Sequence, residues 1–131
     1  MGADNGETAA RGESVAAEWL EQQGWEILER NWTRDLGEVD IVALREVDWA
    51  GETVAMIAFV EVKSRETGHG LLPEGHVDAR KRHKLVRLAK LYLSEHRLKR
   101  VLGRFDVIGV DLDPPQVRHY PAAFDGAGRL R

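Results

Sequence analysis

Between Thr53 and Val62 the chain reads TVAMIAFVEV, and eight of these ten residues are apolar. A run of this length, rich in Val, Ile and Phe, is a buried strand. A second run, Glu38-Val39-Asp40-Ile41-Val42-Ala43-Leu44, is β-branched enough to be covered on both faces. Strands buried in this way need layers packed against them, so the chain is constrained toward a sheet flanked by helices. The buried run also poses a question. It ends in Glu61-Val62-Lys63, a carboxylate and an ammonium two residues apart where a dry interior tolerates neither alone.

The remaining elements fit around these strands. Val15, Ala16, Trp19 and Leu20 recur at helical period, which predicts a first helix over about 13–23, with Gly24 just past its end. Trp25 to Trp32 reads as the first strand, Asp35-Leu36-Gly37 as a turn, and Asp48 to Glu52 as a hairpin connection between the second strand and the third, Thr53 to Lys63. Thr67 to Gly75, with three glycines and a proline, is a loop placed to lie over a site. A second helix is expected over 77–95, with Val77, Leu85, Leu88, Ala89, Tyr92 and Leu93 facing the core. A fourth strand, Arg104 to Val110, ends before Pro114 and Pro115, and a short edge strand is expected near Val117–Tyr120. The order α-β-β-β-α-β, with a helix bridging the third and fourth strands, predicts an α/β layered fold whose central sheet is parallel or mixed. The expected organisation is a disordered lead-in over 1–11, one domain over 12–120 and a flexible tail over 121–131.

Composition narrows the function classes. The 131 residues contain no cysteine, which removes disulfides and thiolate metal sites. No apolar run approaches the roughly 20 residues that span a bilayer, and the N-terminus lacks a signal-peptide pattern. The expectation is a cytoplasmic protein without a membrane partner. The net charge of −3 is unevenly spread: residues 1–52 carry 13 acids and 4 bases, whereas residues 53–131 carry 9 acids and 15 bases. Nine Lys or Arg and one acid fall between Arg80 and Arg100. Arg80, Lys84 and Arg87 share one helix face, a pattern that suits either a phosphate backbone or ordinary solvent.

The acids form a constellation of their own. Strand alternation puts Glu61 and Lys63 on one face, and Glu38 and Asp40 on one face of the neighbouring strand. If these strands pair as a hairpin, Asp40 and Glu61 are neighbours, and one of two adjacent carboxylates tends to hold a proton. A divalent cation relieves the conflict, and Mg²⁺ is commonly held by one or two carboxylates, waters and phosphate oxygens. A lysine at the same place suits phosphoryl chemistry. Glu13 opens the first helix beside its buried stripe, an odd place for a solubilising acid. Plainer readings stand beside these: a solvent-facing Glu61–Lys63 pair, Asp40 as a turn cap, Glu13 as a helix-start acid, His69 and His76 as loop residues, and the tryptophans as core, with Trp32 between Arg30 and Arg34 as a possible base-stacking platform.

Asp40 followed by a hairpin and Glu61-Val62-Lys63 resembles the PD-(D/E)XK nuclease superfamily, whose restriction-endonuclease-like core has this element order. The sequence is also similar to one small bacterial family, UPF0102 (YraN-like), through Gly12-Glu13, Arg30-Asn31, GEVDIVA over 37–43, FVEVKSR over 59–65, Lys81, Tyr92-Leu93 and RFDVI over 104–108. The three longer motifs, in this order and at these spacings, carry far more weight than a bare D…ExK. Val39 stands where the superfamily name has proline, a substitution also tolerated in archaeal Holliday-junction resolvases. The resemblance implies Asp40, Glu61 and the Val62 carbonyl as ligands of Mg²⁺ or Mn²⁺, Lys63 as the catalytic lysine, and Glu13 as the helix-one acid completing the catalytic set. Lys81 matches a family position and, with Arg80, Lys84 and Arg87, forms the implied nucleic-acid face; Glu38 matches without an assigned role. The implied function is a metal-dependent DNA endonuclease, with branched, Holliday-junction-like DNA as a substrate class and a two-fold homodimer as the matching assembly. Two rival readings remain: a nucleic-acid-binding module with a vestigial site, and an interaction or scaffold protein docking through the basic helix.

Overall fold

A computed structural model describes residues 5–67, 77–126 and 128. Five strands form one mixed sheet in the order β1-β2-β3-β4-β5: β1 (Glu26–Arg34), β2 (Gly37–Trp49), β3 (Glu52–Thr67), β4 (Val101–Asp113) and β5 (Pro115–Phe124). Helix α1 (Asn5–Gln22) covers one face and α2 (Ala79–Glu95) the other. Only β3 and β4 pair in parallel, joined by the crossover through α2; all other neighbours are antiparallel. The α/β class and the restriction-endonuclease-like core are therefore as expected.

Each face has its own core. Leu85, Val86, Leu88, Ala89 and Tyr92 of α2 pack on Trp32, Val39, Val42, Ile57, Phe59, Phe105 and Val107. Ala16, Ala17 and Leu20 of α1 pack on Ile41, Ala43, Ala58, Val60, Ile108 and Val110. Alanines on both sides of the α1 contact let helix and sheet approach closely. Ala50 and Gly51, both at positive φ, form the two-residue turn between β2 and β3. Gly24, at φ 95°, ends α1, and Trp25 N–H returns to the Leu20 carbonyl at 3.0 Å.

Several boundaries differ from those expected, β2 and β4 among them, both running longer than their sequence patterns predicted. Helix α1 starts at Asn5 rather than near Glu13, so part of the stretch read as a disordered lead-in is helical. Its first turns carry alanines instead of a large apolar stripe, and the Thr8 hydroxyl donates to Glu66 at 3.3 Å across the sheet end. Strand β3 runs on to Thr67, past Lys63. Strand β5 is ten residues long, reaching into the segment read as tail, because Phe124 is buried and stacks on Phe105 at 4.8 Å. The loop over 68–76, with His69 and His76, lies outside the described residues.

Candidate active site

The sheet opens where the sequence concentrates its acids. The β2–β3 register runs from Trp49↔Glu52 to Ile41↔Val60 and stops there. Pairing of β1 with β2 continues to Gly37, and pairing of β3 with β4 continues to Thr67. The two halves thus separate as a fork beyond Ile41. The Val62 N–H, freed from the ladder, donates to Asp40 Oδ2 at 2.8 Å.

Simple alternation does not describe β2 here. Val39 belongs to the α2-side core and Ile41 to the α1-side core, although two residues apart. The same switch occurs on β1, where Arg30 reaches Ser14 of α1 at 3.0 Å while Trp32 packs in the core beneath α2. Between them Asn31 adopts φ 52°, a left-handed conformation that Asn tolerates better than most residues. Asp40 sits between the flanking pairs Arg30↔Ile41 and Trp32↔Val39, so it occupies the switch and faces the fork. Glu38 and Asp40, expected to share a face of β2, still bring carboxylate oxygens within 4.8 Å of one another across this switch.

Side chains enter this fork from both layers. From α1 comes Glu13, 7% exposed; its carboxylate, that of Glu38 and that of Asp40 have oxygens within 4.8 Å of one another. Gly12 permits this approach: a Cβ there would collide with the Ser64 side chain on β3. From β3 comes Glu61, 5% exposed. From α2 comes Lys81, whose Nζ contacts Glu61 Oε1.

The electrostatics follow from this crowding. Burial, then the Glu61 charge, push Asp40 up to about 9; Glu13 adds to the rise and the Val62 N–H only partly offsets it. Burial opposes the charge on Lys81, but its bond to Glu61 and that carboxylate's charge outweigh it, so the pKa of Lys81 lies above its ordinary value.

An open cleft of about 320 Å³ joins these groups to the basic helix, lined by Glu38, Asp40, Glu61, Arg80, Lys81 and Lys84 among others. The stem of Lys84 lies on Gly37, whose position would hold a Cβ 3.0 Å from Lys84 Cδ. Arg87 is exposed on α2 but does not line this cleft. Lys63 follows Glu61 on β3 and is partly buried. Trp32 is 5% exposed and under the Arg34 guanidinium at 4.3 Å, so it is core rather than a stacking platform.

No role for Glu38, Gly12 or Asp78 was legible from the sequence alone. The turn at Gly37 and the twist at Asn31 put Glu38 beside Glu13, and only the Gly12-Glu13 dipeptide hints at the close approach of α1. Asp78 caps α2 by accepting the Lys81 N–H at 2.9 Å, which fixes the helix start over the cleft.

A mixed sheet between two helices, opened at one end around carboxylates, defines an α/β protein with a restriction-endonuclease-like core. More narrowly, the chain belongs to the Uncharacterised protein family UPF0102, which matches residues 12–110. Relatives called UPF0102 protein include one from Syntrophotalea carbinolica, 43% identical over 120 residues, covering 89% of this chain and 90% of that protein. Another from Trichlorobacter lovleyi is 41% identical and covers 95% of each chain. A third, from Myxococcus xanthus, is 38% identical over 94% of this chain and 93% of its own. Among the described residues no helix is long and apolar enough to cross a membrane.

Proposed function

We propose that this protein is a Mg²⁺- or Mn²⁺-dependent endonuclease that hydrolyses phosphodiester bonds in DNA, with branched, Holliday-junction-like DNA as its substrate class. The observation that carries this reading is the convergence, in one sheet fork, of Glu13 from α1, Glu38 and Asp40 from β2, and Glu61 from β3, under a basic helix lining the same cleft. The donor set is all oxygen and several times negative, which suits a hard divalent cation better than a soft one. Asp40 would be the central ligand, with Glu61 and the Val62 peptide on one side and Glu13 and Glu38 on the other.

A cation bound there would polarise the scissile phosphate and acidify a bound water. The rest falls to the chain's own side chains. Asp40 gives up its proton when the site is loaded. Lys63, on the strand carrying Glu61, stabilises charge developing on the phosphate or orients the attacking water. Arg80, Lys81 and Lys84 hold backbone phosphates over the cleft, with Arg87 extending the basic face along α2. A two-fold homodimer belongs to this reading, since a symmetric junction has two equivalent strands to cut.

Calorimetric titration of Mn²⁺ into wild type and Asp40→Ala tests the site. Binding at millimolar concentration or tighter, lost in the variant, is expected, followed by metal-dependent cleavage of a four-way junction that disappears in Glu61→Ala and Lys63→Ala. DNA binding indifferent to metal, with no cleavage, would instead identify a binding module with a vestigial site.

A further inference from the structure

Lys81 and Glu61 form an unequal pair. The Glu61 side chain is 6% exposed and fixed to the central strand, whereas that of Lys81 is 47% exposed and borders the open cleft. The backbone of Lys81 is held by the Asp78 cap, so any movement of its ammonium must come from the four-carbon stem, which is flexible and easily rehydrated. Glu61 cannot be left bare, because a buried carboxylate without a counter-charge is costly. Whatever removes the ammonium must therefore deliver another positive charge, a metal ion or a proton.

We propose that Lys81 is an exchangeable counter-ion: it neutralises Glu61 while the cleft holds no metal, is displaced when a divalent cation binds, and then serves as a phosphate contact for nucleic acid. This rests on the metal-dependent reading above. The geometry gives the exchange an order. Glu13, Glu38 and Asp40 already have oxygens within 4.8 Å of one another, so a cation can engage them with Lys81 still on Glu61. Glu61 joins once the ammonium leaves. The Lys81 charge thus becomes available to a phosphate only after the metal is in place, which makes nucleic-acid affinity conditional on metal. Lys84 lines the same cleft with its stem on Gly37, and its contribution to phosphate binding carries no such condition.

The experiment compares Mn²⁺ binding by wild type, Lys81→Gln, Lys84→Gln and Asp40→Ala. Both lysine variants remove one positive charge from one cleft, but only the first removes the competitor at Glu61. Lys81→Gln is expected to bind Mn²⁺ about tenfold tighter than wild type, a modest effect in keeping with a half-exposed ion pair, and Lys84→Gln less than about threefold tighter. Lys81→Met should reproduce the result without a side-chain amide that could itself bond Glu61. Affinity for a short DNA duplex is then measured in Ca²⁺ and in EDTA; Lys81→Gln should weaken binding in Ca²⁺ and leave it unchanged in EDTA. Unchanged or weaker Mn²⁺ binding in both Lys81 variants, or an equal loss of DNA affinity with and without metal, overturns the exchange. Absence of Mn²⁺ binding in wild type, or its survival in Asp40→Ala, overturns the site reading beneath it instead.

Discussion

Two groups of buried carboxylates in this protein are treated in opposite ways. On β4, Asp106 accepts from Arg104 Nε at 2.8 Å and Nη2 at 2.9 Å, pairs with His119 Nε2 at 2.7 Å and accepts from the Ala122 N–H at 3.1 Å. Asp111 lies between Arg65 at 2.6 Å and Arg118 at 3.0 Å. Burial would raise the Asp106 pKa, but the bonds to His119 and Arg104 outweigh it and hold it low; hydrogen bonds from Arg118 and Arg65 bring Asp111 down to about 2. In the fork, Asp40 meets Glu61, Glu13 and a single peptide N–H, and is pushed up to about 9. The fold evidently has the means to satisfy a buried acid, and uses them on β4 to tie β5 and the end of β3 to the sheet. At the fork Lys81 contacts Glu61, yet the charges that raise Asp40 are those of Glu61 and Glu13, a contrast that supports the proposed cation site.

The largest test of this contrast is an isosteric one. Asp106→Asn keeps the shape but removes the charge facing Arg104 and His119, and turns an amide N–H₂ toward donors. Breaking a buried, hydrogen-bonded pair typically costs a few kcal/mol, so a loss on the order of 3 kcal/mol is expected in urea unfolding. A change near zero would mean that the β4 acids are no better compensated than the fork acids, and the contrast would collapse.

Much of this was legible in the sequence, and the limits have physical reasons. Alternation, β-branched runs and turn residues located both central strands, the crossover and both helices, because each depends on local pattern and burial. The motif residues Asp40, Glu61 and Glu13 do converge, since strand pairing and helix packing leave them little choice. What local pattern could not show is anything set by register or by a switch of face. The pairing of Arg65 with Asp111 depends on the parallel β3–β4 register, and the grip of His119 on Asp106 on the β5 alignment. Glu38 joins Glu13 only because both strands reverse their facing at Asn31 and Asp40. The contact between Lys81 and Glu61 likewise depends on where α2 begins over the sheet, which the Asp78 cap decides.

A smaller effect probes how the fork is held in its crowded state. Gly12 of α1 lies against Ser64 of β3, and a methyl there meets the Ser64 side chain well inside contact distance. Gly12→Ala should therefore cost about 1–3 kcal/mol as an overpacking change, despite the better helix propensity of alanine. Because Glu13 is the next residue, the same variant should weaken Mn²⁺ binding. Ser64→Gly in that background removes the clashing side chain and should recover both quantities in part. Recovery of stability without recovery of metal affinity would separate the packing of α1 from the placing of Glu13.

The smallest effect has the opposite sign to the first. Asp40→Asn replaces an acid that must take up a proton to sit in the metal-free fork with a neutral amide, so the metal-free variant should be more stable than wild type, by on the order of 1–2 kcal/mol near neutral pH. The pH dependence follows from the direction of the shift. Asp40 holds its proton more tightly folded than unfolded, so its contribution is intact below its ordinary value of 3.8 and declines as pH rises toward about 9. The advantage of the variant should grow across that window and level off above it. Asp111 behaves inversely: its contribution is intact above 3.8 and is lost as pH falls through about 2. Saturating Mn²⁺ should then reverse the ranking, because only wild type gains binding free energy from the cation. If the two proteins instead keep parallel stabilities from pH 4 to 9, Asp40 is ionised and solvated as an ordinary surface acid would be, and the fork is not holding a place for a cation.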